Sequence, residues 1–196
     1  MSLARCIITQ GIEESEAGDL AILIYEAFTA KFTALGFDKP TAVEILRTSC
    51  DPHCTFTAHI GHNLVGAAGI MTVNRKFFTF RLHTLAQYFN PVKALVAYLA
   101  LNLEERVAVD ELKIEALAVD KERRGHGIGT ALIRQMEQFA REEGYKVLSL
   151  DVVDTNTEAR KLYSRLGFEV VKTMRFWGLA RRAGFNSSYV MKKPLR

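Results

Sequence analysis

Cysteine is scarce: the 196 residues hold three, Cys6, Cys50 and Cys54. A small odd number excludes a disulfide framework and leaves free thiols. Long hydrophobic runs are missing too. The opening MSLARCIITQ has too short an apolar run for a signal peptide, and VKALVAYLALNL from Val92 is too short to span a bilayer and carries Lys93. We therefore expect a cytoplasmic protein with no membrane partner. Charge is nearly balanced: 26 Lys and Arg against 22 Asp and Glu give a formal net charge of +4, too little to call for a nucleic-acid partner. Acids vanish after Glu169, where Lys172, Arg175, Arg181, Arg182, Lys192, Lys193 and Arg196 follow. That basic end reads as a solvated face or as an attraction for an anionic ligand. Repeats, low-complexity tracts and linkers are absent, so residues 1–196 read as a single domain.

What is present alternates strands and helices. RCIITQ, CTFTAHI and LVGAAGIMTV have the residue types of strands, the last two flanking a Gly61-His62-Asn63 turn. Leu20, Leu23, Ile24, Ala27 and Phe28 recur at helical spacing between about Glu16 and Ala34. Pro40 suits the first turn of a second helix, and residues 80–107 read as helical with a break at Pro91. Further on come the strand LKIEALAV, the helix GTALIRQMEQFAREEG, the strand KVLSLDV, the short helix NTEARKLYSRLG and the strands FEVVKT and SSYVMKK. The sum is an α/β (α+β) domain with a mixed central sheet flanked by helices.

ERRGHGIGTALI, residues 122–133, is the least generic stretch. Three glycines alternate with single residues between a strand and a helix, so clustered N–H groups from Gly125 to Thr130 face a dipole's positive end. This is an anion site in outline. A Walker A loop is excluded because no Gly-Lys-Ser/Thr follows. A dinucleotide fingerprint needs glycine where Thr130 stands, a tight turn where DKERR intervenes, and more βα units than remain. An NAD(P)-binding oxidoreductase is accordingly the weaker alternative.

Arg124-Gly125-His126-Gly127-Ile128-Gly129 matches R/Q-x-x-G-x-G/A and resembles the pyrophosphate loop of the GNAT superfamily of acetyl-CoA-dependent N-acetyltransferases. IEALAVDKERRGHGIGTALI is similar to that superfamily's central motif, and DTNTEARKLYSRLGF resembles its other shared motif. The resemblance runs from about Leu112 to Thr173. It implies the GNAT acyl-CoA N-acyltransferase fold and acetyl-CoA as co-substrate, with no metal. The acceptor it implies is a primary amine, attacking directly in a ternary complex.

The resemblance also assigns roles. Arg124 to Thr130, with Gly125, His126, Gly127, Ile128 and Gly129 between them, would hold the pyrophosphate. Leu117, Ala118 and Val119 would pair through their backbone with the amide-bearing pantetheine arm, and Val119 N–H would face the reacting carbonyl oxygen. Asn156 would bond that arm. Tyr163, seven residues on and on the same helical face, would protonate the departing thiolate. Glu115 is the candidate base for the amine proton, placed by period two on the face of Leu117 and Val119. An amine with pKa near ~10.4 is mostly protonated at neutral pH, so a base is required. No cysteine lies in either motif, which removes an evident covalent route.

Cys50, His53, Cys54, His59 and His62 crowd together, but their spacing is not a common zinc pattern, and turn residues are the better account. A helical insertion at about 78–108 departs from the simplest GNAT pattern. From Val92 to Leu103 it is apolar nearly all round, which predicts burial on more than one side, in an acceptor-pocket wall or a homodimer interface. The alternative from another class is a non-catalytic acyl-CoA-binding module.

Overall fold

A computed structural model describes residues 6–102, 107–176 and 184–195. Seven strands form one sheet in the order β1-β2-β3-β4-β5-β7-β6. They are β1 (Cys6–Gln10), β2 (Thr55–Ile60), β3 (Asn63–Met71), β4 (Glu111–Val119), β5 (Val147–Val153), β6 (Glu169–Arg175) and β7 (Ser187–Pro194). Among the described residues six α-helices accompany them: α1 (Ala17–Ala34), α2 (Lys39–Ser49), α3 (Leu82–Ala86), α4 (Pro91–Leu101), α5 (Ile128–Glu142) and α6 (Thr157–Arg165). Only β4 and β5 pair in parallel; the other neighbours are antiparallel.

The helices form where local signals agree. Asp38 caps α2 by accepting from the Thr41 N–H at 2.9 Å, with Pro40 in the first turn. On α5, Leu132, Ile133, Met136 and Ala140 share one fully buried face, and Gly144 closes its end at φ +81°. Residue Phe28 of α1 leaves helical geometry (φ −115°, ψ 19°). Just before this bend Ala27 is exposed, contrary to its expected place on the buried stripe.

The two faces of the sheet are covered differently. Gly66 of β3 turns its bare side toward α5, where a Cβ would lie 2.9 Å from Ile128 and 3.2 Å from Leu132. On the other face, Phe28 of α1 meets Phe78 edge-on, with ring centroids 6.5 Å apart.

The inserted segment corrects two expectations. Among the described residues it is helical only over α3 and α4; residues 77–79 pass beside the end of α2, with Phe78 bridged to Cys50. Residues 103–106 lie outside the described residues. Helix α4 is not buried on several sides: Ala94, Ala97 and Leu101 turn inward, whereas Val92 is 74% and Leu99 58% exposed. Within one chain, the stripe Ala94, Ala97 and Leu101 docks the helix and most of its other apolar residues face outward.

The basic end is partly spent on structure, since Lys192 pairs with Glu111 and Lys193 with Glu137. Arg181, Arg182 and Arg196 lie outside the described residues. His59 bonds Glu16 at 2.7 Å, and among the described residues no three potential ligands gather to hold a metal ion. No single described helix is long and apolar enough to cross a membrane.

Candidate active site

The site begins where β4 and β5 part. They pair from Glu111 with Val147 to Ile114 with Leu150, and no further. Beyond this point β4 continues along β3, Val119 opposite Gly66, while β5 continues along β7, Val153 opposite Ser188. A wedge opens between them, and the edge of β4 from Glu115 onward looks into it.

Alternation decides which backbone groups face the wedge. Asp120 N–H donates to the Val65 carbonyl at 3.0 Å, so Asp120 and Ala118 direct their backbone groups to β3. Leu117 and Val119 direct theirs the other way. Of the three residues expected to use their backbone, Leu117 and Val119 are placed for it, and Ala118 is not. Arg124 Nε donates to the Val119 carbonyl at 3.1 Å, anchoring the loop's arginine to the same strand end.

The glycine loop closes one end of the wedge. Gly125 and Gly127 adopt φ +80° and +82°, a region side chains rarely enter. Gly127 is the N-cap of α5 and supplies no side-chain cap, so the first-turn N–H groups of Ile128, Gly129 and Thr130 meet no side-chain acceptor there. Gly129 has a different reason to be bare: a Cβ would lie 3.7 Å from Leu162 and 3.8 Å from Val119, filling the gap between α6 and β4. The ring Nδ1 of His126 turns back to the carbonyls of Arg123 and Arg124, at 3.3 and 2.9 Å, so its side chain is engaged within the loop.

Together these parts enclose a cleft of about 500 Å³. Asn156 lies at its edge as the N-cap of α6, its side-chain oxygen accepting from Ala159 N–H at 3.2 Å. Capping and lining the cleft are thus compatible. Tyr163 lines the cleft and is 8% exposed. Burial pushes its hydroxyl up to about 12, so it remains a proton carrier at neutral pH. Ala27, Arg123, Glu158, Ala159, Leu162 and Arg165 also line the cleft without having been anticipated. Helical spacing from Asn156 and Tyr163 would have found Ala159; no local signal marks Ala27.

Glu115 is the main correction. Gly69 pairs with Ala116 but the next residue, Ile70, pairs with Ile114, leaving Glu115 as an extra residue in β4. This bulge resets the alternation. Val119 shares the α5 side with Gly66, whereas the Glu115 carboxylate accepts from Phe77 and Phe78 N–H at 2.9 and 3.2 Å on the opposite side. Nearby thiols are held protonated: burial raises Cys50, with the Glu115 charge adding to it. Burial, with Asp51 beside it, pushes Cys54 up to about 11.

A family model for the acetyltransferase (GNAT) family matches residues 22–168. The chain belongs to the GNAT family. This GNAT chain is similar to human N-acetyltransferase 8B, 45% identical over 58 residues, which is 30% of this chain and 26% of that protein. It is 37% identical over 76 residues to an uncharacterised N-acetyltransferase of Methanocaldococcus jannaschii, covering 39% of this chain and 32% of that one. The chain thus spans about a quarter to a third of the length of these curated relatives. In fold, an N-acetyltransferase from Staphylococcus aureus Mu50 matches 95% of this GNAT chain and 99% of its own, with a TM-score of 0.70 at 16% identity.

Proposed function

We propose that this GNAT chain moves an acetyl group from acetyl-CoA to a primary amine by direct attack in a ternary complex. The observation that carries the reading is the open edge of β4 running into a glycine-lined helix start, with a buried tyrosine between them. Such a wedge suits a ligand with a pyrophosphate at one end and a thin amide-bearing arm. N–H groups from Gly125 to Thr130 bind the anionic end, with Arg124 beside them. Leu117 and Val119 extend the sheet onto the arm. Such binding asks for no particular side chain, because the backbone supplies the groups.

The transfer forms a nitrogen–carbon bond and breaks the carbon–sulfur bond of the thioester. Val119 N–H points into the wedge and holds the carbonyl oxygen as its charge develops. Tyr163 keeps its proton at neutral pH and delivers it to the departing sulfur. Glu115 takes the amine proton, directly or through water. The bulge puts that carboxylate on the face opposite α5, so the acceptor approaches from the α1 and insertion side. A second reading, an acyl-CoA-binding module without chemistry, is favoured by one observation: the Glu115 carboxylate is already engaged by two backbone N–H groups.

Thiol release from acetyl-CoA, measured across polyamines, aminoglycosides, dipeptides and lysine peptides, separates the two. Turnover with one of these amines, lost in Tyr163→Phe with acetyl-CoA affinity retained, supports the enzyme. Binding without turnover for every amine supports the module.

A further inference from the structure

We propose that Gly69 and Phe77 are positioning residues for Glu115, the Phe77 ring seating on Gly69 so that the inserted segment presents two backbone N–H groups to the carboxylate. This rests on the reading of Glu115 as the base for the acceptor amine. The seat is the tightest contact at any described glycine: a Cβ on Gly69 would lie 2.1 Å from Phe77 Cγ and 2.2 Å from its Cδ1. Even a methyl group there must displace the ring, which is fully buried.

The seat adjoins the bulge. Gly69 pairs with Ala116, the residue next to Glu115, and the register slips at that step. A bulge re-aims its extra residue but does not fix a long side chain. The fixing comes from across the sheet edge, where Phe77 and Phe78 N–H converge on one oxygen, Oε2. Their segment is itself held by α2 and its end: Asp51 N–H donates to the Phe77 carbonyl, and Thr79 N–H to the Ser49 carbonyl, both at 2.8 Å. Gly69, Phe77 and the end of α2 thus form a rigid mount. A Glu side chain held in one rotamer needs no further ordering when the amine arrives.

The test is a double-mutant cycle read by thiol release and by acetyl-CoA titration. Gly69→Ala is expected to lower kcat by roughly 10²-fold, the scale of an ~1 Å misplacement, with acetyl-CoA affinity within about twofold because the residues lining the cleft include neither Gly69 nor Phe77. In a Glu115→Gln background the same change is expected to add nothing, since no base remains to be placed. Phe77→Ala in the Gly69→Ala chain removes the displaced ring and is expected to recover part of the loss; Phe77→Leu alone serves if Gly69→Ala fails to fold. Hydrogen exchange at the Phe77 and Phe78 amides reports the mount without turnover, and protection should fall in Gly69→Ala.

Equal losses in both backgrounds, or kcat and acetyl-CoA affinity falling together, would overturn the proposal and leave the pair a plain packing contact. Glu115→Gln turning over like the parent would overturn it as well, while the roles of the wedge and Tyr163 stand. A parent chain that binds acetyl-CoA but releases no thiol would overturn the enzymatic reading and this inference with it.

Discussion

The two sides of β4 are built to opposite plans. Toward the glycine loop of α5 the strand offers an open backbone edge beside a cleft of about 500 Å³. Toward the insertion it is close-packed: Phe77 lies against Gly69, and the one carboxylate is tied down by two amides. One side is shaped to receive a flexible ligand through groups that every residue possesses. The other is shaped to hold a single side chain still. A bulge of one residue at Glu115 separates the two plans, letting one strand serve both.

The largest expected effect falls on the receiving side. Tyr163→Phe should lower kcat by ~10²–10⁴-fold, the usual contribution of a placed general acid, while acetyl-CoA affinity by calorimetry changes less than about twofold. A comparable fall in affinity would mean that Tyr163 packs the cleft and does not act in transfer.

The same residue yields a stability prediction with a definite sign. Its folded value of about 12 lies above the ordinary 10.0, so the folded state binds the proton more tightly than the unfolded one. The stability is fully present below pH 10.0 and is lost as pH rises from there through about 12. The loss should approach roughly 2–3 kcal/mol. Denaturant unfolding of the parent and Tyr163→Phe across this window isolates it, because only the parent carries the titrating hydroxyl.

Gly127→Val should cost roughly 1–2 kcal/mol of stability, because a β-branched residue is forced to φ +82°, and should weaken acetyl-CoA at least tenfold. Gly129→Ala sharpens the comparison. It meets nothing closer than 3.7 Å and should leave stability nearly unchanged while weakening the ligand. Asn156→Ala is expected to cost about 1 kcal/mol from the lost cap of α6, read as a lower thermal midpoint.

The receiving side was largely legible in the sequence because its signals are local. Alternating glycines, a strand before them and an amphipathic helix behind occupy a few consecutive residues. Asn156 and Tyr163 sit nearly two turns apart on one helix face. The holding side was not legible, because its parts meet only through register. Period two put Glu115 with Leu117 and Val119, and only the pairing of Ile70 with Ile114 displaces it. Phe77 lies 38 residues from the carboxylate it supports. Helix α4 was only partly legible for a related reason: composition specifies how apolar a helix is, and its neighbours decide which side they cover.

The most direct test of the central claim is a calorimetric titration of the parent chain with acetyl-CoA, with NADPH as the parallel ligand. Saturable binding of acetyl-CoA in the micromolar range, with none for NADPH and a marked loss in Gly127→Val, is the predicted result. A folded chain that takes up no acetyl-CoA would contradict the assignment of the wedge.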